Sequence, residues 1–171
     1  MIVRAFILAT LLLAASPARA DEVFVGVYAH DIDSPLNLRG FGEGVDFQLG
    51  WRGDRLRGLG VVGAPSPYAF VAANSAGDAH YAAAGLSWKI GGPVYIRPGI
   101  GLAVHTAPSF DRRPVRSLGS RILIQPELAV GVDVGERASI EASWIHISHS
   151  TLFDPHNPGM DNVGLRLNYR F

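Results

Sequence analysis

Hydrophobic and polar residues alternate along most of this chain with a period of two. At the end of the chain Asp161, Val163, Leu165, Leu167, Tyr169 and Phe171 share one parity, and Gly164, Arg166, Asn168 and Arg170 take the other. Successive side chains of a β-strand point to opposite faces, so this run is a strand with one apolar and one polar face. The same pattern recurs upstream. Val45, Phe47, Leu49 and Trp51 oppose Asp46, Gln48 and Arg52. Val94, Ile96, Ile100, Leu102 and Val104 oppose Tyr95, Arg97, Gly99, Gly101 and His105. Ile122, Ile124, Leu128, Val130, Val132 and Val134 oppose Arg121, Gln125, Glu127 and Asp133. Strands are predicted over 22–31, 43–52, 56–73 (interrupted at Pro65 and Pro67), 79–90, 93–105, 119–134, 137–148 and 162–171.

Eight amphipathic strands with little helical periodicity predict an all-β chain, an eight-stranded antiparallel barrel. The apolar faces are almost free of charge, whereas the polar faces carry Arg97, Arg121, Glu127, Asp133, Glu141, Arg166 and Arg170. A soluble lipid-binding barrel turns its apolar faces inward. Apolar faces against lipid, with the charges paired in a filled interior, make a transmembrane β-barrel. The connections point the same way. Those at 32–42, 106–118 and 149–161 are long, 74–78 is modest, and those near Gly53-Asp54, Gly91-Gly92 and Gly135-Glu136 are expected to be tight. Short turns on one side and long loops on the other are the habit of outer-membrane barrels. Trp51, Trp88, Trp144, Tyr169 and Phe171 fit an aromatic girdle.

The start of the chain bears on compartment. Arg4, the apolar run Ala5–Ala15 and Ala18-Arg19-Ala20 have the layout of a secretory signal peptide over residues 1–20. Cleavage near Ala20 would leave residues 21–171 as a single outer-membrane barrel domain. Removing Arg4 and Arg19 from the 15 basic residues leaves thirteen against 15 acidic ones, a slight acidity that does not suit nucleic acid. With 0 cysteines, disulfides and thiolate metal sites are excluded.

The candidate chemistry lies near the last connection. Ile140, Ala142, Trp144, His146 and Ser148 share a parity in apolar company, and Asp161 opens the final strand with the parity of its apolar residues. The two strands are hairpin neighbours, so His146, Ser148 and Asp161 can meet across them on the outer wall. Serine hydroxyl, imidazole and carboxylate are the groups of a serine hydrolase: nucleophile, general base and orienting acid. On the outside of a barrel they suit a substrate that is itself a membrane lipid. Asn157 and Gly159 are candidate oxyanion or substrate-binding positions. His149 and His156 beside His146 do not make a metal site, because His146 and His149 have opposite parity; no metal and no cofactor are expected. Arg112, Arg113 and Arg116 offer cations to lipid phosphates.

The segment Trp144-Ile145-His146-Ile147-Ser148, then Asn157-Pro158-Gly159-Met160-Asp161-Asn162 and a terminal amphipathic strand, resembles the lipid A 3-O-deacylase (PagL) family. The resemblance implies an eight-stranded outer-membrane barrel that hydrolyses the 3-O-linked hydroxyacyl ester of lipid A without a metal. His146 and Ser148 fall on that family's His-x-Ser pair. Asp161 stands where the family usually has Glu, Asn157 falls on a family Asn, and His149 stands where an Asn is common. The implied partners are lipopolysaccharide and the outer membrane, with a homodimer possible. The rival readings are an outer-membrane phospholipase and a non-enzymatic surface barrel that binds partners through its loops.

Overall fold

The computed structural model describes residues 20–34, 42–107, 117–149 and 159–171. They form a closed antiparallel barrel. Its segments are β1 (Ala20–Ala29), β2 (Val45–Gly53), β3 (Ser66–Asn74), β4 (Tyr81–Ser87), β5 (Ile90–Gly91), β6 (Val94–His105), β7 (Ile122–Val134), β8 (Ala138–Ile147) and β9 (Met160–Arg170). β5 continues β4 past Trp88-Lys89, and both pair with β6, so the nine segments make eight staves. β1 pairs with β9 from Glu22↔Arg170 to Ala29↔Val163, and pairing of β4 with β6 completes the cylinder. Closure leaves no unpaired edge, which is what allows a sheet to sit in lipid.

Alternation fixes which side chains face out. Val25, Val27, Phe47, Leu49, Val71, Leu102, Val104, Val130, Ile140, Leu165 and Leu167 are all exposed and form the apolar outer wall. The opposite parity fills the interior. At mid-height, three arginines meet three glutamates: Arg52 bonds Glu22, Arg97 bonds Glu141 at 2.7 Å, and Arg166 reaches Glu127 at 3.2 Å and Glu141 at 3.3 Å. The Arg166 guanidinium also lies 4.6 Å from the centroid of the Phe24 ring. Buried charges persist when each is paired and hydrogen-bonded. Nearer the long loops the apolar residues Tyr81, Leu123, Ile145, Ile147 and Met160 pack in the interior together with a buried polar cluster of His30, Asp46 and Asn74.

Several expectations need correction. The third predicted strand, 56–73, is two things: a 3-10 segment at Arg57–Val62 and then β3 from Ser66. Gly63 takes a left-handed φ of 88° and caps the 3-10 segment, and Pro65 and Pro67, which have no N–H, delay strand pairing. The connection near Gly53-Asp54 is therefore long, running over 54–65, although it lies at the end of the barrel that carries the chain terminus. Arg121 and Arg170, expected inside, are exposed because they lie at the rims, Arg121 just before β7 and Arg170 at the last position of β9. Asp133 is also at the rim, where Lys89 Nζ bonds it at 2.6 Å.

Candidate active site

β8 and β9 pair so that His146 stands directly opposite Asp161. Both have outward parity, shared with Ala142, Trp144, Val163 and Leu165. Ser148 lies one residue beyond β8 and would be free to swing, but a backbone bridge to β7 holds it. Its N–H donates to the Ile124 carbonyl at 3.0 Å and its carbonyl accepts from Ile124 N–H at 2.7 Å. The nucleophile candidate is thus fixed by three strands: β8 sets its direction, β7 its height and β9 brings the carboxylate.

The polar chain is continuous. Asp161 Oδ1 lies 2.9 Å from His146 Nδ1, and His146 Nε2 lies 2.9 Å from Ser148 Oγ. An ionised carboxylate only accepts, so the proton of a neutral imidazole is on Nδ1. Nε2 then offers its lone pair to the serine hydroxyl, as base catalysis requires.

The carboxylate is held from two further directions. Trp144 Nε1–H donates to Oδ1 at 2.8 Å and Ser34 Oγ–H donates to Oδ2 at 2.6 Å. Asp161 is fully buried although it sits on the outer wall. Part of the cover is the chain just after β1. Asp31 N–H donates to Asn162 Oδ1 at 2.8 Å, and Ile32 N–H donates to the Asp161 carbonyl at 2.8 Å. Residues 30–34 thereby cross the rim from the interior to the outer wall. Three donors on one carboxylate favour its charged form and fix its plane, so a short aspartate side chain is presented to His146 without slack.

Gly159 has a left-handed φ of 64°, and a Cβ there would lie 3.1 Å from His146 Cε1. It is a close neighbour of the imidazole, and a larger residue would press on the ring. Asn157, and the loop arginines 112, 113 and 116, lie outside the described residues. The Ser148 N–H is committed to Ile124, so it is not a donor for an oxyanion.

Two positioning groups escaped the sequence reasoning. Trp144, expected in the aromatic girdle, shares the face of His146 and was visible by parity, but nothing in the pattern reveals its bond to the carboxylate. Ser34 lies 127 residues from Asp161 in a loop, and no local signal marks it.

Residues 39–170 match the model of the family described as lipid A 3-O-deacylase (PagL). No curated protein matches the chain significantly. The solved structure of the outer membrane enzyme PagL is similar, with a TM-score of 0.64 and 19% identity over 88% of this chain and 99% of that one. So is Neisserial surface protein A, with a TM-score of 0.61 and 11% identity over 91% and 100%. At such identities these likenesses speak for the barrel alone, and it is the family match, across most of the sequence, that decides membership: the chain belongs to the lipid A 3-O-deacylase (PagL) family.

Proposed function

We propose that the protein is a serine esterase that removes the 3-O-linked hydroxyacyl chain of lipid A. Family membership makes it an outer-membrane lipid A deacylase; the serine mechanism, the position of the ester and the roles of the residues are our reading. One observation carries it. An ordered chain Ser148–His146–Asp161, with links of 2.9 Å and 2.9 Å, stands on the lipid-facing wall, where a water-soluble substrate gains nothing and a bilayer lipid is already at hand.

The reaction follows from these groups. Ser148 Oγ attacks the ester carbonyl while His146 Nε2 takes the hydroxyl proton. Asp161 steadies the imidazolium that forms. Asn157 and the Gly159 backbone N–H are the candidate donors to the tetrahedral oxyanion. As that intermediate collapses, His146 returns the proton to the leaving sugar oxygen, and an acyl-serine remains. Water, deprotonated by His146, attacks this ester; the 3-hydroxy fatty acid departs and Ser148 regains its proton. Every step is proton and acyl transfer. The chain is exported by the signal peptide ending near Ala20, and residues 21–171 form the barrel domain.

The test is protein folded in detergent and mixed with purified lipid A, read by mass spectrometry. Loss of one 3-hydroxyacyl group is expected, with Ser148→Ala and His146→Ala inactive yet folded. Activity retained in both variants would end the serine reading. Release of fatty acid from phospholipid but not from lipid A would move the substrate class.

A further inference from the structure

The 54–65 connection is at the opposite end of the barrel from the triad, and the deacylation reading makes no use of it. Its backbone is tightly closed. Leu56 N–H donates to the Pro65 carbonyl at 2.8 Å, Gly63 N–H to Gly60 at 3.0 Å and Ala64 N–H to Leu59 at 3.0 Å. Arg55 clasps the turn, with Nε 3.1 Å from the Ala64 carbonyl and Nη2 2.9 Å from the Gly63 carbonyl. Such a turn has a defined surface, and that surface is apolar. Val61 is 94% exposed and Val62 55% exposed, with Leu56 and Leu59 beside them. Water-facing turns are built from polar residues, so four aliphatic side chains displayed on a rigid turn call for an apolar neighbour.

The position of the turn says what that neighbour is. Trp88 has the outward parity of Ala84 and Leu86, and its Nε1–H donates to the Val62 carbonyl at 2.8 Å. A Cβ on Gly63 would lie 3.2 Å from the Trp88 ring. The turn is therefore fastened to the outside of the wall and not folded over the interior. Trp88 belongs with Trp51, Tyr169 and Phe171, outward aromatics of the same rim, where Tyr169 and Phe171 pack edge to face at 5.6 Å. Aromatic belts mark the level of the lipid headgroups. The aliphatic turn continues the lipid-facing surface of the barrel at that level, and the exposed Arg57 adds a cation beside it. Apolar residues next to basic ones are the composition of segments that lie in a membrane interface.

We propose that residues 56–62 are an interfacial anchor: Leu59, Val61 and Val62 enter the acyl boundary of the phospholipid leaflet opposite the triad, and Arg57 faces its phosphates. A barrel that works on lipids of one leaflet is thereby gripped by the other, which sets its height and limits its tilt.

The absence of cysteine makes a clean test possible. Val61→Cys carries a nitroxide label in the full barrel, folded into phosphatidylethanolamine–phosphatidylglycerol vesicles at high lipid excess. Leu165→Cys, on the lipid-facing wall, and Glu136→Cys, in the β7–β8 turn at the same rim, are the references. The proposal expects the Val61 label to collide with dissolved oxygen and to be shielded from a water-soluble nickel chelate, as the Leu165 label is. Nickel access equal to that of the Glu136 label overturns it. Dipolar broadening between Val61 labels also overturns it, since a second copy would then be the occupant. Leu59→Cys repeats the measurement if Val61→Cys fails to fold. None of these readouts depends on deacylation, so failure of the anchor and failure of the esterase reading are separate results.

Discussion

Two histidine–aspartate pairs stand at the loop end of this barrel, on opposite sides of the same wall. Outside, His146 Nδ1 meets Asp161 at 2.9 Å; inside, His30 Nδ1 meets Asp46 at 2.9 Å. The geometry up to this point is the same. The difference lies at Nε2. His146 faces the Ser148 hydroxyl at 2.9 Å, whereas His30 faces the Asp78 carboxylate at 3.9 Å. A hydroxyl gives its proton to a neutral imidazole and becomes a nucleophile. A second carboxylate has nothing to give and instead favours the imidazolium. Burial pulls the His30 pKa down, but the Asp46 hydrogen bond and the charges of Asp46, Asp78 and Asp31 outweigh it, so the group is raised above its ordinary value. On the proposed mechanism the outer pair passes a proton, whereas the surroundings of the inner pair favour holding one. Residues 30–34 touch both, with His30 in the interior and Ser34 on the outer carboxylate.

The largest effect expected from breaking this comparison is at the outer pair. Ser148→Ala or His146→Ala should lower lipid A deacylation by about 10⁶-fold, measured as hydroxy fatty acid released per minute. His30→Ala should leave turnover near that of the unaltered protein. Equal losses from the inner and outer histidines would erase the distinction. Next comes Asp161→Asn, which keeps the shape but destroys the tautomer preference, with a loss of up to about 10⁴-fold by analogy with other serine triads. Asp46→Asn, its inner counterpart, should destabilise the loop end and leave kcat near its starting value.

Smaller effects sharpen the picture. Trp144→Phe and Ser34→Ala each remove one hydrogen bond to a charged acceptor, worth about 1.5–3 kcal/mol, or roughly tenfold to a hundredfold in kcat. KM should change little, because neither group is placed to touch the substrate. A change confined to KM would assign them to binding. The smallest effect is on pH. A raised His30 pKa means that its contribution to stability is complete below the unfolded-state value of about 6.5 and fades as pH rises through the higher folded-state value. Urea unfolding in detergent should therefore show stability falling as pH rises above about 6.5, and His30→Asn should flatten that part of the curve.

Much of this was legible in the residues. Val163, Leu165 and Leu167 against Arg166 and Asn168 define a strand with a lipid side and a lumen side, and the parity of His146, Ser148 and Asp161 puts them on the lipid side. Pairing of β8 with β9 follows from their succession. The third stave was misread because Leu56 to Val62 is apolar enough to pass for strand. Only the left-handed Gly63 and the two prolines, acting together, turn it into a 3-10 turn on the rim. Lumen placement failed for Arg121 and Arg170 because parity gives direction but not height, and these residues stand at the rims.

Alternation along the chain was sufficient to determine the amphipathic strands, their lipid-facing surface and the shared outward parity of His146, Ser148 and Asp161, because a period of two is a local property of extended backbone. What needed the three-dimensional structure was whatever depends on distant segments meeting. Ser34 closing on Asp161, Ile124 pinning Ser148 and Trp88 fastening the 56–62 turn each join elements that share no local pattern. Such contacts come from the register and closure of the whole cylinder, which are collective outcomes of all the strands together.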